Sequence, residues 1–372
     1  MHLSNSSKAE LEEDIQATGR LYEHEPEPQE HVNVGTGPTN KVYKKQYFWY
    51  TITAFSILHV GAVYGIYIVA TRGYWTTIIF GILLGLASGL GITAGAHRLW
   101  CHRSYNAKFP LRLLLAFLNT VAVQNNIYTW SRDHRTHHRF SETDADPYNA
   151  KRGFFFSHIG WLVTSKHPEV TRKGQTIDCS DLLEDPLVYY QRKYYFWLAA
   201  FCSFIFPAIT PWKLWGEDLW VAFWFCSVTR CTFVLNGTFL VNSAAHLWGT
   251  KPYDKNTVGM EQPIVGALAL GEGWHNYHHV FPWDYKTSEL PWYRLNLTTM
   301  FIDAAAYLGQ AYDLKTVDPK VVEQRVKRTG DGSHFKWGDE PERLEKEQQR
   351  LEQQQQSDTY PTSIDSKLLK DE

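Results

Sequence analysis

Histidines account for most of the chemistry that this sequence could perform. Sixteen histidines occur among 372 residues, and nine of them fall into a pattern. The pattern is a pair five residues apart, a His-x-x-His-His motif, a single histidine, and a second His-x-x-His-His motif. These nine are His97, His102, His134, His137, His138, His246, His275, His278 and His279. Neutral imidazole is a ligand for zinc, copper, iron and nickel, so the pattern predicts a metal centre.

The spacing within each His-x-x-His-His motif fits one helix face. Positions i, i+3 and i+4 of an α-helix lie on the same side, so the three histidines of a motif can converge. His97 and His102 would diverge by roughly 140° on an ideal helix. We therefore expect this pair to straddle the frayed end of a helix. Isolated histidines without such spacing are interpreted as structural. They are His59, His158, His167 and His334.

The number of histidines favours two metal ions over one. Nine ligands exceed the needs of one four-coordinate zinc ion, and a closed zinc site would usually add thiolates. None of the five cysteines forms a Cys-x-x-Cys motif. Zinc has no accessible change of oxidation state, whereas an all-nitrogen pair of iron ions suits the activation of dioxygen against a C–H bond. Imidazole alone would also hold copper.

Four apolar segments predict that the chain crosses a membrane. The mean hydropathy of −0.35 is typical of a soluble protein, but it averages polar ends with an apolar middle. The predicted spans are residues 48–70, 74–96, 194–212 and 219–245. At 1.5 Å per residue each is long enough to cross a hydrocarbon core of ~30 Å. Arg230 interrupts the last span, so its side chain should face protein or water.

The polar ends define the expected domain organisation. Residues 1–40 and 336–372 are rich in polar and charged side chains and are expected to be disordered tails. Residues 41–335 form one domain, which we expect to be an all-α integral membrane fold. The formal net charge of −2 argues against a nucleic-acid partner.

Basic residues predict the orientation in the membrane. Lys41, Lys44 and Lys45 precede the first span, while Arg72 and Lys213 are the only basic residues in the two short loops between spans. By the positive-inside rule, both termini and residues 98–193 are cytosolic. All nine patterned histidines then lie on the cytosolic side. The orientation was predicted from lysines and arginines alone, so this agreement is independent of the histidines.

Longer motifs carry a resemblance to a known family. They occupy residues 91–100, 132–138, 141–147, 153–158, 242–246, 271–279 and 327–334. With these motifs the chain resembles the membrane-bound acyl-CoA desaturases of the stearoyl-CoA Δ9 type, and most of all the insect branch. The resemblance implies four transmembrane helices that carry a cytosolic helical cap, in which the nine histidines hold two non-haem iron ions. It also implies that Asn242 reaches one metal ion through water.

The resemblance implies an activity as well. The expected reaction inserts a cis double bond, at Δ9, into a saturated long-chain fatty acyl-CoA in unsaturated fatty acid biosynthesis. Dioxygen is the co-substrate, and cytochrome b5 and its reductase supply the electrons at the endoplasmic reticulum membrane. Family positions that contact the CoA head group correspond to Asn125, Arg132, Asp133 and Lys166.

The chain departs from the family pattern at several substrate positions. An Arg-Asn pair is replaced by Tyr50 and Thr51, an Arg by Ser165, and a Trp by Phe239. Since no metal ligand is lost, we expect these changes to alter substrate affinity or preference and not to abolish activity.

Two glycines occur where the family closes its acyl tunnel. Gly85 and Gly89 precede His97 by 12 and 8 residues, on one face of the second span. Two glycines there would leave the tunnel end open, which favours longer or already unsaturated chains. The simpler interpretation is close helix packing through small residues, which is common in membranes.

Two other functions remain open from the sequence. The same iron centre and acyl chain could give a Δ11 double bond, a diene or a hydroxylated product. A more distant alternative is a non-enzymatic membrane scaffold whose histidines bind metal for structure or storage.

Overall fold

Helices form most of the described part of the chain. The computed structural model describes residues 45–338. The predicted tails, 1–40 and 336–372, lie outside this range except for residues 336–338. The helices are α1 Trp49–Arg72, α2 Trp75–Cys101, α3 Phe109–Ala122, α4 Ile127–Phe140, α5 Phe154–His158, α6 Pro168–Gly174, α7 Ser180–Glu184, α8 Pro186–Lys193, α9 Tyr195–Trp215, α10 Leu219–Leu247, α11 Pro263–Leu268, α12 His275–Val280, α13 Leu297–Tyr307 and α14 Pro319–Thr329. Strands β1 Asn106–Ala107 and β2 Ala311–Tyr312 pair antiparallel.

Four of these helices are long and apolar enough to cross a membrane. They are α1, α2, α9 and α10, with 24, 27, 21 and 29 residues. Each corresponds to one predicted span, so the expected all-α membrane fold is confirmed. Helix α2 runs five residues beyond the predicted end at position 96, which carries it into the histidine region.

Three of the spans contain a π-helical segment. These segments are Gly91–Cys101 in α2, Ala200–Ile205 in α9 and Phe223–Thr229 in α10. A π-helix has i→i+5 hydrogen bonds and is widened relative to an α-helix, and such segments often occur at functional sites. The hydropathy pattern of the sequence carries no signal for them.

Arg230 connects the spans from inside the bundle. Its side chain is buried, as predicted for a charge at this depth. The guanidinium donates to the carbonyls of Cys226, Val121 and Ser203 at 2.8, 2.9 and 3.0 Å, and to the hydroxyls of Ser203 and Ser88 at 2.9 and 3.4 Å. One side chain on α10 therefore binds α2, α9 and the carboxyl end of α3, where unpaired helix carbonyls favour a cation.

Glu217 joins the two inter-span loops at the opposite end of the bundle from the histidines. Its Oε2 accepts hydrogen bonds from Tyr74 N and Thr77 Oγ1, and its Oε1 accepts one from Asp218 N. A carboxylate at the amino end of a helix also compensates the helix dipole. Glu217 thereby fixes the start of α2 against α10.

Helix α3 is apolar on both faces. Leu111, Leu115 and Leu118 are buried against the protein, while Phe109 and Leu113 remain exposed. With 14 residues it is too short to span, so its outer face suits the boundary between lipid and water.

The remaining helices form a cap around the histidine end of α2 and α10. Its largest apolar cluster joins residues of α2, α3, α4, α7, α8 and α13. In a second cluster, Val322 and Val326 of α14 pack with Tyr277 of α12 and with Phe281, which directly follows that helix. The cap thus packs tightly around the segments that carry the histidines.

Replacing Arg230 with Met should lower the free energy of unfolding by about 3 kcal/mol, because it leaves several buried carbonyl and hydroxyl groups without their donor. Thermal unfolding of the purified protein in detergent measures the loss. Lys213→Met is the matched control, because Lys213 is an exposed residue of α9, one of the spans that Arg230 contacts. Equal stability of both variants would contradict the bridging role of Arg230.

Candidate metal centre and the adjoining cavity

The nine patterned histidines gather into two groups. In each group, ligand atoms from every member lie within 4.8 Å of one another. The five-histidine site consists of His97, His102, His134, His138 and His278. The four-histidine site consists of His137, His246, His275 and His279. The predicted set is complete, and no other histidine of residues 45–338 joins either site.

Each His-x-x-His-His motif serves both sites. In α4, His134 and His138 belong to the five-histidine site and His137 to the other. Helix α12 reverses the assignment, because its first and third histidines join the four-histidine site and His278 joins the five-histidine site. The sequence predicted that the three histidines of each motif share a helix face. It did not predict that the second histidine of each motif joins a different group from the other two.

His97 and His102 lie on either side of a helix end, as expected, because the helix ends at Cys101, but this end is not frayed. The helix does not fray there but widens into the π segment, and His102 N donates to His97 O at 3.0 Å across five residues. Because the i→i+5 hydrogen bond stacks residues five apart, the two rings come within 4.8 Å, centre to centre. The π segment is therefore what brings both side chains into one site.

Distances between ring nitrogens fit ligands of a common ion. In the five-histidine site, His278 Nε2 lies 3.1 Å from His97 Nε2 and 2.9 Å from His138 Nε2. In the four-histidine site, His275 Nε2 lies 2.9 Å from His246 Nε2 and 3.0 Å from His279 Nε2. Two nitrogens bound at about 2.1 Å and at right angles would be about 3 Å apart.

Burial favours the neutral imidazole, which is the form that binds metal, at several of these histidines. It holds the pKa of His102, His134 and His278 well below the ordinary value of 6.5, and neighbouring histidines lower each pKa further. Both ring nitrogens of His102 and Nε2 of His137 are buried without a hydrogen-bond partner in the described part of the chain. A bound metal ion would satisfy these otherwise costly groups, so the residues fit a two-metal centre.

Carboxylates orient three of the ligands, one for each of three different segments. Glu272 Oε2 lies 3.0 Å from His97 Nδ1, Asp146 Oδ1 lies 2.9 Å from His137 Nδ1, and Glu142 Oε1 lies 3.2 Å from His246 Nδ1. A carboxylate at Nδ1 fixes the tautomer that turns Nε2 towards a metal ion.

Sequence reasoning missed these three carboxylates. Glu142 and Asp146 belong to the quoted motif at 141–147, and Glu272 lies in a Gly-Glu-Gly sequence that reads as a turn. Their acidic type next to a histidine-rich pattern was the available signal. Burial alone would raise the pKa of Asp146, but His137 holds it below its usual range.

Helix α12 is only six residues long, and the side chains between its histidines anchor it. Asn276 Oδ1 accepts from the backbone N of Tyr253 and Asp254, and its Nδ2 donates to Asp254 O, Thr257 Oγ1 and Gly259 O. Tyr277 donates its hydroxyl to Asp284 at 2.8 Å. These bonds supply the stability that so short a helix lacks by itself.

A cavity of about 750 Å³ adjoins the five-histidine site. His97 and His134 line it, together with many residues of α2 and α10, among them Gly81 and Phe225. Residues of α1, of α4 and of the segments around Gln124, Trp161 and Leu270 complete the wall. Most of the wall is apolar, although Gln124 crosses it with a 3.0 Å hydrogen bond to Thr238. Such a shape suits a long apolar ligand.

The predicted substrate residues divide into two sets. Those that line the cavity are Asn125, Asp133, Phe239, Gly85 and Gly89, and Asn242, which was predicted to reach a metal ion through water, lines it as well. Arg132 and Lys166 instead form ion pairs with Asp133. Asn125 also has a structural reason for its residue type, because its backbone φ of 73° lies in the left-handed region that asparagine tolerates.

The residues that depart from the family pattern lie in different places. Phe239 is buried beside Phe55, His158 and Trp161. Tyr50 is 77% exposed in the first turn of α1. Ser165 accepts a hydrogen bond from Gln46 N through its hydroxyl.

The two glycines have different surroundings. A Cβ on Gly89 would lie 2.7 Å from Leu270 Cδ1, so close packing explains that glycine. A Cβ on Gly85 would meet only Arg230 Cγ at 3.5 Å and Val234 at 3.9 Å, which are ordinary contacts. A side chain at Gly85 would therefore occupy the cavity.

The isolated histidines make hydrogen bonds outside the metal sites. Asn236 bridges His59 and His158, each at 3.1 Å. His334 pairs with Glu289 at 2.8 Å, and His167 accepts from Glu169 N at the start of α6. This confirms that none of the four joins either group.

Comparisons with known proteins agree with this architecture. Residues 72–313 match the fatty acid desaturase family. An acyl-CoA Δ12-desaturase of Acheta domesticus is 52% identical over 334 residues, which cover 88% of this chain and 94% of the relative. An acyl-CoA Δ9 desaturase of the same species is 55% identical over 80% of this chain and 82% of the relative. An acyl-CoA Δ11 desaturase of Trichoplusia ni is 48% identical over 87% and 92%.

We expect one metal ion in each histidine group, and His246→Ala should reduce the metal content of the purified protein from two ions per chain towards one. The substitution leaves three ligands in the four-histidine site and all five in the other. Elemental analysis after dialysis against a weak chelator measures the content. His158→Ala, from the same region but outside both sites, is the control. Full metal content in His246→Ala would contradict the assignment.

Proposed function

The chain belongs to the fatty acid desaturase family, and from that membership we propose that it is an acyl-CoA desaturase. The proposed substrate is a saturated long-chain fatty acyl-CoA, and the proposed product carries a cis double bond at Δ9. Two hydrogens leave the acyl chain, while O₂ takes up these, two protons and two electrons to give two water molecules. One observation carries the proposal: His97 and His134 of the five-histidine site form part of the cavity wall.

The substrate chemistry explains why a metal centre is needed. An unactivated methylene has no acidic proton and no leaving group, so acid–base catalysis has nothing to act on. Two non-haem iron ions, when bound, would supply the power to remove hydrogen with the help of dioxygen. The nine histidines would hold both ions, and Asn242, one turn before His246, would reach the four-histidine site through water.

The cavity would select the methylene that reacts. An acyl chain held at its head group presents a given carbon at a fixed distance from the anchor, and positioning of this kind is a large part of catalysis. Gln124, which donates to Thr238, and the ring of Phe239 lie in the cavity wall, where they would narrow the space open to an acyl chain. We infer that the chain bends at this constriction.

The head group would bind at the cytosolic mouth. Arg132 and Lys166 share Asp133 as their partner, and their side chains remain 34% and 38% exposed. Both cations can therefore turn towards the phosphates of CoA without leaving a buried charge unpaired. Asn125 adds an amide at the same end of the cavity.

The electron donor and the location follow from the family. We propose that cytochrome b5, reduced by its reductase, supplies the electrons at the endoplasmic reticulum membrane. The charge distribution around the spans supports a cytosolic cap and cytosolic termini, which would give a soluble electron donor access to the centre.

The named activities of the relatives bear on the position of the double bond. Relatives named for Δ12, Δ9 and Δ11 desaturation share 52%, 55% and 48% identity with this chain. Since their identities are so similar, small changes along the cavity must decide the position. A Δ11 or Δ12 double bond, a diene or a hydroxylated product is the alternative outcome of the same hydrogen removal.

Expression in a yeast strain that lacks its own Δ9 desaturase tests the function. We expect growth without added unsaturated fatty acid, and new monoenes whose double bonds are located at Δ9 by chemical derivatisation and mass spectrometry. A His246→Ala chain is the inactive control. Monoenes at Δ11 or Δ12 would contradict the proposed Δ9 position of the double bond but not the desaturase activity. Absence of any new product from a metal-loaded protein would contradict the desaturase assignment.

Gly85→Tyr should shift the products towards shorter acyl chains, because the phenol ring would fill the cavity beyond Arg230. The chain-length distribution of the monoenes in the same yeast strain measures the shift. Gly85→Ala, which adds a single methyl group at an ordinary contact distance, is the matched control. An unchanged distribution in Gly85→Tyr would show that the cavity beyond Gly85 does not hold the acyl chain.

A further inference from the structure

The two metal sites differ in the charges that surround them. In the five-histidine site one histidine, His97, has a carboxylate at its Nδ1, that of Glu272. In the four-histidine site two histidines do: His137 contacts Asp146, and His246 contacts Glu142. All three are buried, where charges are poorly screened.

A cation neutralises the carboxylate of the five-histidine site. Arg98 is fully buried and donates through Nε and a terminal nitrogen to Glu272 Oε1 at 3.1 and 3.0 Å. Further bonds to Tyr285 O and Thr299 Oγ1 fix the guanidinium in place. The pair of Arg98 and Glu272 therefore contributes no net charge to its site.

Other charges near the five-histidine site are also balanced or positive. Asp133, next to His134, is paired with both Arg132 and Lys166. Arg135, which donates to the carbonyls of Trp100 and Cys101 beside His102, is paired with Asp181. None of these groups adds net negative charge.

The carboxylates of the four-histidine site have no such cation. Asp146 accepts hydrogen bonds from the backbone N of Glu142 and Tyr148, and Glu142 accepts one from the backbone N of Lys151. Within residues 45–338, no lysine or arginine side chain forms an ion pair with either carboxylate. Backbone dipoles stabilise these anions without cancelling their charge, so this site has two net negative charges.

From this asymmetry we propose that, when the two-iron centre is reduced by one electron, the ferric ion is the one in the four-histidine site. When the diferric centre accepts one electron from a one-electron chemical reductant, that electron enters the five-histidine site and gives one ferrous and one ferric ion. The second electron then reduces the four-histidine site. Glu142 and Asp146 are positioning residues in this scheme, because they act through the ligands and touch no substrate. The inference rests on the proposed iron content and needs no substrate turnover.

A redox titration of the full-length, ⁵⁷Fe-loaded protein in detergent tests the proposal, with Mössbauer spectra recorded at each stage. The wild type should show two reductions separated in potential, with equal ferrous and ferric signals between them. In Glu142→Gln/Asp146→Asn the second reduction should shift to higher potential, so that the separation narrows. In Glu272→Gln, the matched control, the first reduction should shift instead and the separation should widen.

The opposite changes in the separation between the two reductions distinguish an effect of charge from simple loosening of the ligands. A wider separation in Glu142→Gln/Asp146→Asn, or a narrower one in Glu272→Gln, would overturn the proposal. If the double variant fails to fold, Glu142→Gln alone should give a smaller narrowing, because Gln still accepts from His246. Failure of the wild type to bind two iron ions would contradict the proposed function itself and is detected by elemental analysis before the titration.

Discussion

The structure depends on bringing nine imidazoles, seven of them buried, into two compact groups. A buried ring nitrogen without a partner is costly, and a protonated imidazole among eight others costs more. The surrounding side chains stabilise this arrangement. Glu272, Asp146 and Glu142 fix tautomers, and Asn276 holds the shortest ligand helix through five hydrogen bonds. The cap exists largely to supply these supports.

The same constraint links the cap to the spans. Helices α2 and α10 leave the apolar bundle and end directly in the metal sites, so the position of each ligand depends on how the spans pack. Arg230 fixes that packing from within, and its stem forms part of the cavity wall beside Gly85. A single bundle thus determines the ligand geometry and the shape of the cavity.

Chemistry and selectivity are therefore assigned to different parts of the molecule. In the proposed reaction, the histidines and their carboxylates would support hydrogen removal, while Gln124, Phe239 and Gly85, which line the cavity, would select what reaches the centre. Relatives named for three different double-bond positions retain about half of this sequence. That pattern is expected when one metal centre is combined with a cavity that a few side chains can reshape.

The sequence by itself determined the spans and the nine patterned histidines, because hydropathy and histidine spacing are local patterns that survive without tertiary context. Only the tertiary structure decided how these histidines divide between two groups. His137 and His278 each join the group opposite to that of the other histidines in their motif, since a helix between the two groups presents i and i+4 to one and i+3 to the other. The π segment that brings His97 to His102 depends on packing that no local propensity records. The unequal charges likewise arise from contacts across long sequence separations, as between Arg98 and Glu272 or between Glu142 and His246.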